Sequence, residues 1–292
     1  MTRRALVLIN DRARRGAQVS QASLDVLSQG GIDLLRPSEA TPDSYSELIR
    51  EHRDDINLVI VGGGDGSMNA AARGLVDTGL PLGILPCGTA NDLARTLGLP
   101  VDCEAAAQVI VAGRAMAVDL GQVNDAYFFN VASVGFSARL ARSLTARAKK
   151  RWGKLGYAIA SVRLLSESRP FTAYIEHDGS VETVRTIQVS VGNGCFYGGG
   201  MKVAEDARPD DGMLDVYSIE VKHWMHLLAL GPALRRGTHG RSDSVRTYRT
   251  TALAIRTRRP HEVNADGELV TATPAEFRVR RAAVRVFVPP RG

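Results

Sequence analysis

The sequence predicts an α/β domain built on a parallel sheet, followed by a β-rich antiparallel domain. Three observations carry this. Strand-like and helix-like segments alternate through the first third of the chain. Glycine turns close two successive apolar runs, at Gly62–Gly64 and at Gly88. From about residue 125 the pattern changes to alternating strands joined by Asp-Gly turns. Strands that alternate with helices imply a parallel sheet covered by helices.

The elements follow in order. RALVLIN is a compact apolar run ending at Asn10, read as a buried strand. VSQASLDVLSQGG has helical spacing at Val19, Leu24 and Leu27 and stops at a glycine pair. GIDLLRPS is a second strand. TPDSYSELIREHR is a helix with Thr41 as its cap and Pro42 in the first helical position. INLVIVGGG is a third strand, SMNAAARGLVDTG a helix, LPLGILPCG a strand and TANDLARTLGL a helix. AVDLGQVNDAYFFNVASVGF reads as two strands about a turn at Asn124-Asp125. Later strands turn at His177-Asp178-Gly179 and Ala265-Asp266-Gly267. Two helical stretches interrupt them, SARLARSLTARAKKRWGKLGYAIASVRLLSES and HWMHLLALGPALRRG. The expected domains are residues 1–124 and 125–280, with the segment 281–292 returning to the first.

Composition narrows the class. The 292 residues are 44% hydrophobic and 23% charged, an ordinary globular balance. The net charge of +6 favours an anionic partner, although solubility alone also accounts for it. Cys87, Cys103 and Cys195 are odd in number and lack a CxxC spacing, so neither a disulfide framework nor structural zinc is expected. His223 and His226 lack a third ligand and read as a helix surface. The N-terminal apolar run is too short for a signal peptide, and no run approaches the length of a transmembrane helix. A cytoplasmic protein with at most peripheral membrane contact is expected.

The chemistry concentrates in LVIVGGGDGSMNAAARGL. A glycine loop between strand and helix turns backbone N–H groups toward phosphates, and Gly62, Gly63, Gly64 and Gly66 suit that role. Neither GxxxxGK[ST] nor GxGxxG is present, and glycines alone describe a tight turn equally well. Asp65 changes the balance. A carboxylate facing phosphates repels them unless a divalent cation lies between, and Mg²⁺ is the natural bridge. A second loop, LPCGTANDLAR, again ends a strand before a helix and offers Gly88, Thr89, Asn91 and Asp92. Two such loops at neighbouring strand ends make a crevice at the carboxyl edge of the sheet.

At these motifs the chain resembles the diacylglycerol kinase catalytic-domain family, above all its bacterial soluble lipid kinases, which are also similar to sphingosine and ceramide kinases. GGGDGS with Asn69 and LPCGTANDLAR carry the likeness. So do INDRARRG near the start, FNVASVGFSA, GNGCFYGGGMKVAEDARPDDGMLDV and NADGE. Together they span nearly the whole chain in the family's order. The likeness implies an NAD kinase/diacylglycerol kinase-like fold with a sandwich-like second domain. It implies ATP and Mg²⁺ as cofactors. Asn10, Thr41, Gly62, Gly63, Gly64, Asp65, Gly66, Ser67, Met68, Asn69, Ala70, Gly88, Thr89 and Asn91 are the implied nucleotide-binding residues. Asp266 is implied as the base taking the lipid hydroxyl proton, supported by Glu268. A structural Mg²⁺ is implied at Asp211, with carbonyls of Arg208 and Met213. Asp119 would join the acidic, water-bridged network, and Asp65 is also implied as a metal residue. The chain departs from the family pattern at Ser67, where Thr is commoner, at Asp11, and at Glu205-Asp206, where Pro is usual.

The resemblance points to a lipid kinase acting at a membrane surface. Arg147, Lys149, Lys150, Arg151 and Lys154, beside Trp152 and Tyr157, suit such a contact, and Arg12, Arg14 and Arg15 would add to it. A solvated helix face explains the same charges. An NAD kinase shares the GGDG loop, but LPCGTANDLAR and the long glycine signature argue against it. A non-catalytic sensor has no need of Asp266 and Glu268, and nucleic-acid binding does not explain an acidic cleft. The particular lipid is open, and so is the oligomeric state, with a homodimer compatible.

Overall fold

A computed structural model of the chain describes residues 3–10, 21–143, 168–221 and 224–290. The first part runs β1 (Arg3–Ile9), α1 (Gln21–Gln29), β2 (Ile32–Leu35), α2 (Tyr45–Glu51), β3 (Leu58–Gly63), α3 (Asp65–Thr78), β4 (Leu82–Pro86), α4 (Asp92–Thr96) and α5 (Cys103–Ala112). Its strands lie side by side in the order β2-β1-β3-β4, all parallel. Parallel strands covered on both faces read as unbroken apolar runs. β3 is buried from Leu58 to Gly63. Leu6, Leu8, Val59, Val61 and Ile84 pack beneath α2 and α3, while Ala5, Val7, Leu58 and Ile60 pack beneath α1 and α5.

Helix starts differ from the sequence reading for local reasons. The segment opening at Pro42 is a 3-10 turn, Pro42–Ser44, before α2 begins. Thr41 gives its N–H to Ser44 Oγ at 3.2 Å, and Ser44 Oγ donates to the Thr41 carbonyl, which tightens that turn. α3 starts at Asp65, two residues ahead of the SMNAAARGLVDTG segment, because extended Gly64 caps it. An acidic residue in the first turn suits the helix dipole. α5 has no counterpart in the sequence reading. It is capped by Asp102, whose side chain accepts from Ala105 N–H at 2.9 Å.

The second part comprises β5 (Ala115–Val123), β6 (Ala126–Phe128), β7 (Val131–Gly135), α6 (Phe136–Ser143), β8 (Phe171–His177), β9 (Ser180–Thr186), β10 (Gln188–Gly192), β11 (Phe196–Tyr197), β12 (Met201–Lys202), β13 (Leu214–Ile219), α7 (Trp224–Arg236), β14 (Val245–Thr250), β15 (Ala252–Thr257), β16 (Glu262–Ala265), β17 (Glu268–Ala272) and β18 (Ala275–Phe287). One antiparallel sheet runs β14-β13-β10-β7-β16-β17. Facing it are β9, β8, β15, β18, β5 and β6, and Ala132, Val134, Val189, Val216, Ile255 and Phe277 fill the space between.

β18 joins the two parts. Phe277 pairs with Val123 and packs in the sandwich, whereas Val286 pairs with both Met116 and Leu82 and packs in the α/β core. A register shift between Arg280 and Val284, with Ala282 at φ 49°, lets one strand serve both layers. The first sheet is therefore continuous from β2 to β9. The basic residues Arg12, Arg14 and Arg15 and those from Arg147 to Lys154, with Trp152 and Tyr157, lie outside the described residues, as do Asp11, Val19 and His223. His226 is exposed on α7. The three cysteines are free thiols, with Cys87 and Cys103 Sγ atoms 3.1 Å apart.

Candidate active site

The two glycine loops touch. Cys87 N–H donates to the Gly63 carbonyl at 3.0 Å, and a Cβ on Gly88 would sit 2.4 Å from Gly64 Cα. No residue larger than glycine fits that approach. Asn91, in the left-handed region at φ 51°, shapes the second loop. Its Oδ1 accepts Gly88 N–H at 2.9 Å and its Nδ2 donates to the Gly88 and Pro86 carbonyls. In the first loop, Asn10 Nδ2 donates to the buried Ser67 Oγ at 3.3 Å. Thr41 and Thr89 are exposed, while Met68 is buried in the core beneath α3 and Ala70 packs against it. Asn69 Oδ1 is buried without a donor.

Asp65 stands in the first turn of α3 and also secures the next helix. Its Oδ1 accepts Leu93 N–H from the start of α4 at 3.0 Å and faces Asn130 Nδ2 at 3.5 Å. Asp92 is buried beside it. Asp92 Oδ2 accepts Gly199 N–H at 2.8 Å, and Oδ1 has no donor. Burial pushes the Asp92 carboxyl up, and the Asp65 charge adds to this.

The second part supplies Asp266 at the β16–β17 turn, where φ is 48°. Its carboxylate is held by three backbone N–H groups. Oδ2 accepts from Phe129 at 2.7 Å, and Oδ1 accepts from Asn130 and Val131, each at 3.0 Å. Enclosure nonetheless pushes this carboxyl up to about 7, with the charge of Asp65 adding to burial against the three donors. Glu268 is exposed and reaches back across the junction. Its Oε1 lies 3.3 Å from where a Cβ on Gly66 would stand, and partial desolvation of the carboxyl end, followed by the Asp43 charge, raises it although the residue as a whole is exposed. Asp65, Gly66, Asp92, Asp266 and Glu268 thus converge at the carboxyl ends of β3 and β4, the usual ligand position in such sheets.

The remaining metal candidates form a different cluster. Asp119 is buried, and both oxygens take backbone N–H groups, Oδ1 from Ala282 and Oδ2 from Gly212, each at 2.7 Å. It clamps the 209–213 loop to β18. Asp211 Oδ1 accepts Met213 N–H at 3.0 Å, and Oδ2 pairs with Arg249, which also holds Asp215 at 2.9 Å. Arg208 pairs with Asp210. Arg249 meets the charge of Asp211 in this arrangement, beside the Arg208 and Met213 carbonyls where the resemblance implies a structural ion. Asn193 ties this cluster to the first, donating from Nδ2 to the Asp119 and Phe129 carbonyls at 2.8 and 3.0 Å.

A nucleotide-bound cation does fit at Asp65, because the adjacent Asp92 offers a buried acceptor with no donor. Among the described residues no three His, Cys, Asp or Glu side chains are grouped to hold a metal by themselves. Mg²⁺ bound through one or two carboxylates plus substrate phosphates needs no such group. Sequence reasoning missed Asn130, Asn193 and Asp43. The available signal for Asn130 was a lone amide between two apolar strands in FFNVASVGF.

A double glycine loop, a helix-tip carboxylate and an enclosed carboxylate from a second domain are parts that phosphoryl transfer uses for positioning and charge neutralisation. Comparison with known proteins agrees. Residues 4–123 match the diacylglycerol kinase catalytic domain, and residues 130–288 match the YegS C-terminal NAD kinase beta sandwich-like domain. A diacylglycerol kinase of Mycobacterium tuberculosis (strain ATCC 25618 / H37Rv) is 33% identical over 296 residues, covering 98% of this chain and 95% of the relative. A probable lipid kinase YegS-like of Klebsiella pneumoniae (strain 342) is 28% identical, covering 98% and 96%. A crystal structure of a putative diacylglycerol kinase from Bacillus anthracis str. Sterne superposes with a TM-score of 0.84 at 25% identity, covering 99% and 96%. The chain belongs to this diacylglycerol kinase-like family of lipid kinases.

Proposed function

We propose that the protein transfers the γ-phosphoryl group of ATP to a hydroxyl of diacylglycerol or a related lipid such as ceramide, a sphingoid base or phosphatidylglycerol. The observation that carries this is Asp266. Three backbone N–H groups aim its carboxylate into the crevice beside Asp65, with its carboxyl raised to about 7. A base poised near the working pH suits removal of a hydroxyl proton. The glycine loops seat the phosphates on backbone N–H groups, and Asp65 faces them from the tip of α3. Mg²⁺, held by Asp65 with the phosphates, would neutralise charge there. As the lipid oxygen bonds to the γ-phosphorus, the bond to ADP breaks and the hydroxyl proton passes to Asp266. Glu268 holds the acceptor end in place from across the junction. Incubation with γ-labelled ATP, a lipid panel and NAD tests this reading. Label in the organic extract supports it, and label in NADP supports a nucleotide kinase instead.

The pH profile follows from Asp266. Only its ionised form accepts a proton, so activity rises as pH passes upward through about 7, and at pH 6 about a tenth of the free enzyme is competent. A profile of kcat/KM flat from about pH 5.5 to 8.5 would contradict the assignment.

Membrane attachment is proposed to be electrostatic. Among the described residues no helix is long and apolar enough to cross a membrane. Lys149, Lys150 and Arg151 follow α6 in sequence, and each cation near an anionic leaflet contributes about 1 kcal/mol. Changing all three to Glu should reduce sedimentation with anionic vesicles and lower activity there, with less effect on detergent-dispersed lipid. Unchanged vesicle binding would rule the idea out.

A further inference from the structure

We infer that Asn130 is a positioning residue that sets the catalytic base against the nucleotide-side carboxylate; the inference rests on the reading of Asp266 as that base. Asn130 sits between β6 and β7 and is 3% exposed. It touches both sides of the crevice. Its backbone N–H donates to Asp266 Oδ1 at 3.0 Å, and its side-chain Nδ2 faces Asp65 Oδ1 at 3.5 Å. Its carbonyl accepts Asn193 N–H at 2.8 Å and Gly194 N–H at 3.1 Å, which anchors it to the 193–194 turn. The backbone is therefore fixed on both sides, and the amide has little freedom.

The amide orientation follows from its surroundings. Asp65 Oδ1 already acts as an acceptor, taking Leu93 N–H, so the amide presents its NH₂ to it, since a flipped amide would set oxygen against oxygen. That leaves Oδ1 turned toward Gly194, where a Cβ would lie 3.0 Å away, and it is buried without a donor. A buried acceptor without a donor calls for an explanation, and an active site that takes in water or ligand provides one. An Asp at position 130 would press a third negative charge between Asp65 and Asp266. An Ala would leave the two carboxylates without the neutral amide between them. Asn has the right length, and it donates toward Asp65 without adding charge.

The step it serves depends on geometry. Phosphoryl transfer needs the base and the γ-phosphoryl group held in register, and a misplacement of about 1 Å can cost 10²-fold. Asn130 bonds a carboxylate on each side of the junction between the two parts, so loss of its side chain should be felt at the chemical step before it is felt in folding.

The test compares Asn130→Ala, Asn130→Asp and Asp266→Asn by steady-state kinetics, nucleotide binding and thermal unfolding. Asn130→Ala should lower kcat by roughly 10- to 100-fold with KM for ATP and lipid within about threefold of the parent and an unchanged Tm. Asn130→Asp, which keeps shape and backbone bonds but not the donor, should not recover the rate. Parental kcat in Asn130→Ala, or recovery in Asn130→Asp, overturns the inference. So does a fall confined to KM or accompanied by loss of folding in both variants. If Asp266→Asn is inactive while Asn130→Ala is parental, the base assignment stands and only the positioning role fails. If Asp266→Asn remains active, the base assignment fails and takes the positioning role with it.

Discussion

Asp266→Asn should lower kcat by about 10²–10⁴-fold, the usual cost of losing a general base. Asn keeps the size and can still accept from the backbone N–H groups of Asn130 and Val131 at the position of Oδ1. It cannot take up a hydroxyl proton. Asn is also well tolerated at φ 48°, so the β16–β17 turn should persist. Nucleotide binding should stay near parental, because Asp266 belongs to the sandwich while the phosphate loops belong to β3 and β4. Glu268→Gln should show a milder loss, since Glu268 is exposed and reaches toward Gly66 from outside the hydrogen-bonded turn. Calorimetric ATP binding alongside steady-state kinetics checks both halves. Weak ATP binding by a folded Asp266→Asn variant would place Asp266 on the nucleotide instead.

Changes at Asp65 should be as severe, and two variants separate its roles. Asp65→Asn retains an acceptor for Leu93 N–H, so α4 stays tied to α3, but removes the charge that holds a cation against the phosphates. Turnover with Mg²⁺ and ATP should be abolished with little change in Tm. Asp65→Ala removes the acceptor as well and should cost an additional 1 kcal/mol or so of stability, comparable to deleting a helix cap. Substantial turnover by Asp65→Asn with unchanged Mg²⁺ dependence would remove Asp65 from the nucleotide site.

Much of this was legible in the sequence because it is local. Strand-to-helix alternation, the glycine loops and the Asp-Gly hairpin at Asp266 are written in neighbouring residues. The helix starts were less legible. Gly64 caps α3 and so moves Asp65 from a loop onto a helix tip, a shift decided by backbone geometry alone. Long-range partners were not legible. Asp266 reads as a turn aspartate until Phe129, Asn130 and Val131, at least 135 residues earlier, bring their N–H groups to it. The partners of Asp119 and Asp211 are equally invisible in the sequence. Each has a distant partner that satisfies it, Ala282 for the first and Arg249 for the second. β18 shows the same limit. Its alternation predicts a strand but not that a shift near Ala282 lets it close both cores.

The most direct test of the account is a single-turnover experiment. Parent enzyme loaded with Mg²⁺ and γ-labelled ATP is mixed with lipid vesicles and quenched over time, with products identified by mass spectrometry. The account predicts that phosphorylated lipid and ADP appear together in equal amounts, at a rate that collapses in Asp266→Asn. ADP formed without phospholipid, or an equal rate of lipid phosphorylation in Asp266→Asn, would contradict it.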